Sequence, residues 1–475
     1  MTTALVHQDA TKLAELIRTK EVSPVEVVQA HLDRISAADA QINAIVTLAD
    51  DALKNAKAAE AAVMKGEKLG PLHGVPFTAK DSIDSAGVAT QFASPIFAGR
   101  MPDADAPAMA RMKQAGGILL AKTNHPEFSF WIETDNLLSG RTRNPWNLDR
   151  TPGGSSGGES AAIAAGMSPL GIATDIAISV RGPAALTGIV GFKATGGRIP
   201  MTGVFPRVPR RFWSLGPMAR SVRDVALAYS LLAGPDGADG LSIAPPSVDA
   251  GVGAKPGRPL RVGLLIEQGF GLIDSEVAAT VQAAADALKG LGVIVEPVRI
   301  PVLEQINALE LLWKVQVMET KPAFKKLTAG HESKIFKHVQ AIYDTPDTPI
   351  EEFVAAEQQF EAMRDGFAQF FQKFDALLCP VSPVSSHGHD AAEFVINGQT
   401  VSSMHIMDTT AFCNVTGLPA ATLRFGTSHD NMPIGVQIVA PWLAESTALH
   451  LAGLLESVSK VRDLHPSLAN MGIKG

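Results

Sequence analysis

Residues 151–167 read Thr-Pro-Gly-Gly-Ser-Ser-Gly-Gly-Glu-Ser-Ala-Ala-Ile-Ala-Ala-Gly-Met, a glycine-rich turn running straight into a stretch of small residues. Residues 159–167 are expected to form a helix that packs closely against a sheet, because so little side-chain bulk keeps it away. Ser155 lies in the turn. A second serine, Ser179, follows twenty-four positions later in Asp175-Ile-Ala-Ile-Ser-Val-Arg-Gly-Pro183. Together with Lys80, these two serines can make a hydrolase that needs no histidine.

Outward from this stretch, short apolar runs bounded by glycine and proline read as strands: Val75-Pro-Phe-Thr-Ala79 and Gly117-Ile-Leu-Leu-Ala121, with a helix between them whose apolar face includes Ala108 and Met112. Strands alternating with helices predict an α/β protein with a mixed central β-sheet surrounded by α-helices. The first part of the chain is helical. Leu13, Leu16 and Ile17 share a face, Ser23-Pro-Val-Glu26 reads as an N-cap with a proline in the first turn and a capping-box glutamate, and the alanine-rich stretch 51–64 ends before Gly66. A loop or linker is expected at 235–259, strands at 261–266, 376–379 and 435–440, and a long helical segment over about 303–376, broken near Thr345-Pro-Asp-Thr-Pro349. The expected organisation is a single domain over 1–475: N-terminal helices at about 9–65, a core at about 70–235, a cap-like insertion at about 303–376, and a return to the core at about 377–460.

Composition narrows the function classes. The chain has 475 residues and a formal charge of −7, and its one tight basic cluster, Arg207, Arg210 and Arg211, is expected to be a solvated loop rim, so no nucleic-acid partner is implied. Cys379 and Cys413 are the two cysteines, expected as buried hydrophobes in a reducing cytoplasm rather than as a disulfide. No charged and apolar leader and no run of about 18 apolar residues is present, so no membrane partner is expected.

Amide hydrolysis needs an activated nucleophile, donors for the developing oxyanion and a proton for the leaving nitrogen. A lysine serves as the base if desolvation keeps it neutral. Lys80 stands at the end of the Val75–Ala79 strand, placed for that task. Read on its own, Gly153-Gly-Ser155-Ser-Gly157 also satisfies the nucleophile-elbow pattern, but the preceding Asn144–Pro152 is polar and carries two prolines where an elbow needs a strand. No Gly-Lys-Ser/Thr follows the glycines, which argues against a phosphate loop. His387-Gly-His389-Asp390 has metal-ligand character but no further ligand set, and an exposed loop is expected there; His73 is expected to be structural.

The chain resembles the amidase signature family over nearly its whole length. The matching text is Leu72–Asp81, Pro152–Ala162, Thr174–Ala184 and Gly188–Lys193, with further echoes at 216–221, 375–380, 414–420 and 433–437. The resemblance implies Ser179 as the acyl-forming nucleophile, Ser155 as a bridging serine on a cis peptide bond, and Lys80 as the terminal base. It also implies an oxyanion hole from the N–H groups of Ile176, Ala177, Ile178 and Ser179, substrate contacts from Ser129, Phe130 and Trp131, and structural support from Ser156, Asp175 and Arg181. No metal or cofactor is implied.

Two departures stand out. Ala177-Ile178-Ser179 replaces the family's usual Gly-Gly-Ser, and a β-branched residue would be strained if those glycines sat at positive φ. Gly182 follows Arg181 where the amidotransferase branch commonly carries glutamine. The expected activity is cleavage of a C–N bond in an amide, anilide or carbamate, with a lean to the aryl acylamidase or urethanase branches, some esterase side activity, and a monomer or homodimer acting on a small-molecule substrate. The alternatives are a glutamine-amidase subunit of a transfer-RNA amidotransferase and a non-catalytic pseudo-amidase.

Overall fold

A computed structural model describes residues 5–244, 257–467 and 469. The central part of the 235–259 linker lies outside the described residues. Eleven strands form one mixed sheet among them, in the spatial order β1-β3-β2-β4-β6-β5-β12-β13-β9-β7-β8. Its first half contains β1 (Ile45–Leu48), β2 (Pro76–Lys80), β3 (Ile118–Thr123), β4 (Leu170–Asp175), β5 (Val190–Lys193) and β6 (Ser214–Ala219). Its second half contains β7 (Arg261–Leu264), β8 (Ile294–Pro297), β9 (Ala376–Pro380), β12 (Ala420–Thr427) and β13 (Pro433–Val439), while β10 (Glu393–Ile396) and β11 (Gln399–Ser402) form a separate hairpin. Helices flank the sheet, and the expected mixed α/β architecture is the one observed.

The sequence signals for the N-terminal helices work locally. Helix α1 (Ala10–Arg18) is followed by α2 (Pro24–Ile42), whose Ser23 accepts from Glu26 N–H while the Glu26 side chain accepts from Ser23 N–H. Helix α3 (Ala52–Lys65) ends on Gly66 at φ 71°. The 9–65 region is not purely helical: β1 lies inside it, pairing antiparallel with β3 at the sheet edge. Four residues between two helices carry too little periodicity to reveal such a strand.

The parallel trio β3-β2-β4 positions the chemistry. Lys80 is the last residue of β2 and Asp175 the last of β4, so both strands deliver their carboxyl ends to one edge, where α/β sheets bind ligands. After α4 (Pro107–Gln114), the turn at 151–156 leads into α5 (Gly157–Ala164), and the chain leaves β4 through residues 176–180 into α6 (Arg181–Thr187). Every residue of α5 is buried. Between β3 and Ser155 the chain holds only turns, bends, a short 3₁₀ turn and isolated bridges, with no strand leading into the serine.

Helices α7 (Val222–Leu232) and α8 (Ser275–Gly290) cover the sheet, and four more occupy the expected cap region: α9 (Pro301–Gln305), α10 (Ala308–Thr328), α11 (Lys337–Asp344) and α12 (Ile350–Phe371). The break at 345–349 is where the prolines place it, but α10 runs through Pro322, and a second break falls at 329–336. Two shorter elements complete the fold, α13 (Ala411–Thr416) and α14 (Glu445–Val458).

Of the expected solvated rim, Arg207 and Arg211 are exposed and Arg210 is half-buried, and the last two are also paired. Arg210 pairs with Asp239 at 3.0 Å, and Arg211 pairs with Glu357 at 2.7 Å and also with Glu319. The expected exposed loop at 387–389 is corrected. His387 is buried with Nδ1 2.8 Å from Gly388 O, and His389 lies 3.8 Å from Glu133. Among the described residues no cluster of histidine, cysteine and carboxylate side chains has metal-holding geometry. His73 Nε2 lies 2.9 Å from Ala59 O. Both cysteines are buried free thiols, their pKa values pushed up by desolvation.

Candidate active site

Lys80 is fully buried, and its Nζ lies 2.6 Å from Ser155 Oγ, 3.0 Å from Thr174 Oγ1 and 3.1 Å from Ser156 Oγ. Burial drives its pKa well below 10.5, against the pull of Asp175 and Glu159. Ser156 donates its own proton to Thr174 O at 3.2 Å, so its oxygen is left to accept from the amine. The Gly154–Ser155 peptide bond is cis. The turn is clamped by Thr134, whose hydroxyl donates to Gly153 O and accepts from Gly157 N–H, each at 3.0 Å. A Cβ on Gly154 would lie 2.6 Å from Glu133 N, so only glycine permits that approach.

Glu159, one turn into α5, is a neighbour that sequence reasoning passed over. It is fully buried, accepts from Thr78 and, at 2.8 Å, from Thr123, and burial raises its pKa to about 7. Thr174 was legible only as part of the motif text, with no signal for its contact with Lys80.

Asp175 and Arg181 form an ion pair with both side chains fully buried, at 2.9 Å. Arg181 uses its whole guanidinium fork. It donates to Asp175 twice, to Thr410 O, to Gln437 Oε1, to Asn414 Oδ1, and to Ala177 O at 2.9 Å. The paired guanidinium, with N–H donors from Val180 and Asn414, holds the Asp175 carboxylate down at about 2 despite burial. The contact with Ala177 O ties this network to the loop before Ser179.

That loop avoids the left-handed region at Ala177 and Ile178. Positive φ among non-glycine residues includes Phe128 at 56° and Ser129 at 61°, but neither Ala177 nor Ile178. The two departures seen in the sequence turn out to be one packing unit. A Cβ on Gly182 would stand 2.4 Å from Ile178 Cγ1, and Gly182 N–H donates to Ile178 O at 2.7 Å. The isoleucine fits because residue 182 has no side chain.

Ser179 is 4% exposed and lines a cavity of about 40 Å³ with Ile176, Ala177 and Ile178. Among the described residues, the N–H groups of 176–179 and the Ser179 hydroxyl make no hydrogen bond within the chain. One of the two links implied between Ser179, Ser155 and Lys80 is therefore formed, that between Ser155 and Lys80. The structure brings Ser129, Phe130 and Trp131 to the same cavity. Ser129 Oγ is 3.2 Å from Nδ1 of buried His125, whose pKa burial pushes well below the ordinary 6.5. The opposite wall, Leu309, Leu312, Trp313 and Gln316 of α10 with Met404 and Met407, was not legible in the sequence.

Lys80 thus closes β2, Ser155 and Ser156 lie in the turn before α5, and Ser179 follows β4. The chain belongs to the Amidase family, whose model matches residues 26–449. It is 34% identical over 491 residues to a glutamyl-tRNA(Gln) amidotransferase subunit of Acidothermus cellulolyticus, covering 96% of this chain and 95% of that protein. It is also 34% identical over 473 residues to indoleacetamide hydrolase of Bradyrhizobium diazoefficiens, covering 94% and 86%. A bacterial aryl acylamidase structure superimposes with a TM-score of 0.87 at 28% identity, covering 98% of each chain. No described helix is long and apolar enough to cross a membrane.

Proposed function

We propose that the protein is a cytoplasmic amidase that cleaves amides, anilides or carbamates through an acyl-enzyme on Ser179, with Ser155 and Lys80 as its proton relay. The observation that carries this reading is the arrangement around Lys80 Nζ. A neutral amine has two N–H donors and one lone pair. Thr174 Oγ1 and Ser156 Oγ take the donors at 3.0 and 3.1 Å, which leaves the lone pair for the Ser155 hydroxyl at 2.6 Å.

In the proposed reaction the Ser179 hydroxyl turns toward Ser155 as substrate binds, and its oxygen attacks the scissile carbonyl. Its proton passes to Ser155 Oγ while the Ser155 proton moves to Lys80. The unpaired N–H groups of 176–179 stabilise the oxyanion, each such donor being worth about 2.7–4 kcal/mol. Collapse breaks the C–N bond, and the relay runs backward to protonate the departing nitrogen. Water then attacks the acyl ester by the same route and regenerates Ser179. The relay contributes roughly 10² to 10⁴ in rate.

The aromatic and aliphatic wall of Phe130, Trp131, Leu312 and Trp313 supports apolar substrates of the aryl acylamidase or urethanase kind. The likeness to the amidotransferase protein supports a second reading, a glutaminase working with partner chains. Glutamine would bring a polar carboxylate and ammonium against this apolar wall, which favours the first reading. The intact lysine and serine set speaks against a pseudo-enzyme. The test is activity of the isolated chain on anilide, carbamate, primary-amide, ester and glutamine substrates, with fluorophosphonate labelling mapped to a residue. Glutamine hydrolysis that depends on added partner chains would replace the first reading with the second.

A further inference from the structure

The small cavity at Ser179 is the inner half of a two-chamber site. Beyond it lies an outer chamber of about 700 Å³, lined by Glu310, His338, Ala341, Val401 and Ser402 among others. Trp131, Leu309, Trp313 and Met404 border both chambers, so they form the neck between them. The rings of this neck are fixed from behind. The Trp131 indole stacks on His338 of α11 at 4.0 Å between centroids, and Trp313 of α10 leans on Phe130 at 5.8 Å. His338 is braced in turn by Phe336, 4.9 Å away and edge-on. Phe336 N–H donates to Glu127 Oε2 at 2.6 Å, which anchors the start of α11 to the segment that carries Trp131.

The sizes decide what fits where. A cavity of roughly 150 Å³ holds a benzene ring, and the inner chamber offers about 40 Å³ against about 700 Å³ outside. An aromatic ring cannot enter beside Ser179 without parting the neck, while the outer chamber takes one with room to spare.

We propose that the site selects amides with one slim side and one ring-bearing side. The scissile carbonyl and a small substituent occupy the inner chamber, and a single aromatic ring stays outside against the indoles of Trp131 and Trp313. This rests on Ser179 being the acylated residue and adds the shape of the substrate. The neck is the determinant of specificity, and His338, itself part of the outer chamber's wall, also positions the Trp131 indole.

The test uses three amides: acetanilide and 3-phenylpropanamide, each with one ring and one slim side, and benzanilide, with a ring on both. In the wild type, kcat/KM for benzanilide should fall below that of the better single-ring amide by about tenfold or more, the scale on which an apolar pocket discriminates. In Trp313→Ala that ratio should shrink severalfold through a gain on benzanilide, and His338→Ala should move it in the same direction by less. Labelling of each variant at Ser179 by a small fluorophosphonate shows that the site is folded. Equal turnover of benzanilide and the single-ring amides by the wild type, or a ratio unchanged in both labelled variants, would overturn the two-chamber proposal. A wild type that fails to label at Ser179 would instead overturn the proposed function beneath it.

Discussion

Around Lys80 and Arg181, buried polar atoms are tied to named partners, whereas across the cavity from Ser179 the wall is held by ring contacts of helices α10 and α11 with Phe130 and Trp131. The first region comes from the contiguous core of the chain, residues 76–193, closed from outside by Thr410, Asn414 and Gln437. The second is assembled from three remote pieces, residues 129–132, helix α10 and residues 404–407. Buried hydrogen bonds are directional and costly to leave unmade, so the polar region admits one arrangement. Apolar packing tolerates exchange of shape at conserved volume. The polar region is therefore locked into one arrangement, and the shape of the apolar wall is left adjustable.

The comparison breaks first at Ser179. Ser179→Ala should abolish fluorophosphonate labelling and lower kcat by roughly 10⁴ to 10⁶, as loss of a serine nucleophile does elsewhere. Labelling that survives in Ser179→Ala and vanishes in Ser155→Ala would move the nucleophile to the glycine-rich turn.

Lys80→Ala comes next, with amide turnover reduced by roughly 10² to 10⁴ and labelling reduced less. The same lysine sets a pH dependence. Its pKa is lowered in the folded protein, so kcat/KM should fall as pH drops through that lowered value and the amine gains a proton. From that value up to the ordinary 10.5 the unfolded chain holds the extra proton, so this group makes unfolding free energy rise with pH. A pH–rate profile indifferent to removal of the Lys80 amine would detach the lysine from the relay.

Arg181→Met leaves Asp175 buried and uncompensated and frees Ala177 O, and it should destabilise the fold by about 3–5 kcal/mol in urea unfolding. A loss below about 1 kcal/mol would show that the polar region is less tightly determined than its hydrogen bonds suggest. Gly182→Ala should have the smallest effect. Its methyl group meets Ile178 Cγ1, so the expected cost is about 1–3 kcal/mol of overpacking, and a displaced Ile178 should raise KM more than it lowers kcat. Unchanged KM and stability would mean that residues 178 and 182 are not one unit.

What the sequence determined by itself is the family and the class of fold. Helix caps, glycine-rich turns and a lysine at a strand end are local signals, because each depends on a few neighbours along the chain. The roles of Ser155, Ser179 and Lys80 come instead from the family resemblance, and of the links it implies the structure forms the one between Lys80 and Ser155. The strand β1, the course of α10 through Pro322, and the burial of His387 escaped the reading because partners far along the chain impose them.

Tertiary structure alone decided the far wall of the cavity at Ser179. Leu309, Leu312 and Trp313 carry the same apolar spacing as any core-facing helix residue, and nothing in a periodicity separates a side chain that fills a core from one that faces a cavity. Ile178 and Gly182, two departures read separately, are complementary through a local turn in which Gly182 N–H donates to Ile178 O. Their contact arises only when the turn after β4 folds residue 178 against the start of α6, and van der Waals exclusion then makes the size of one the condition for the other.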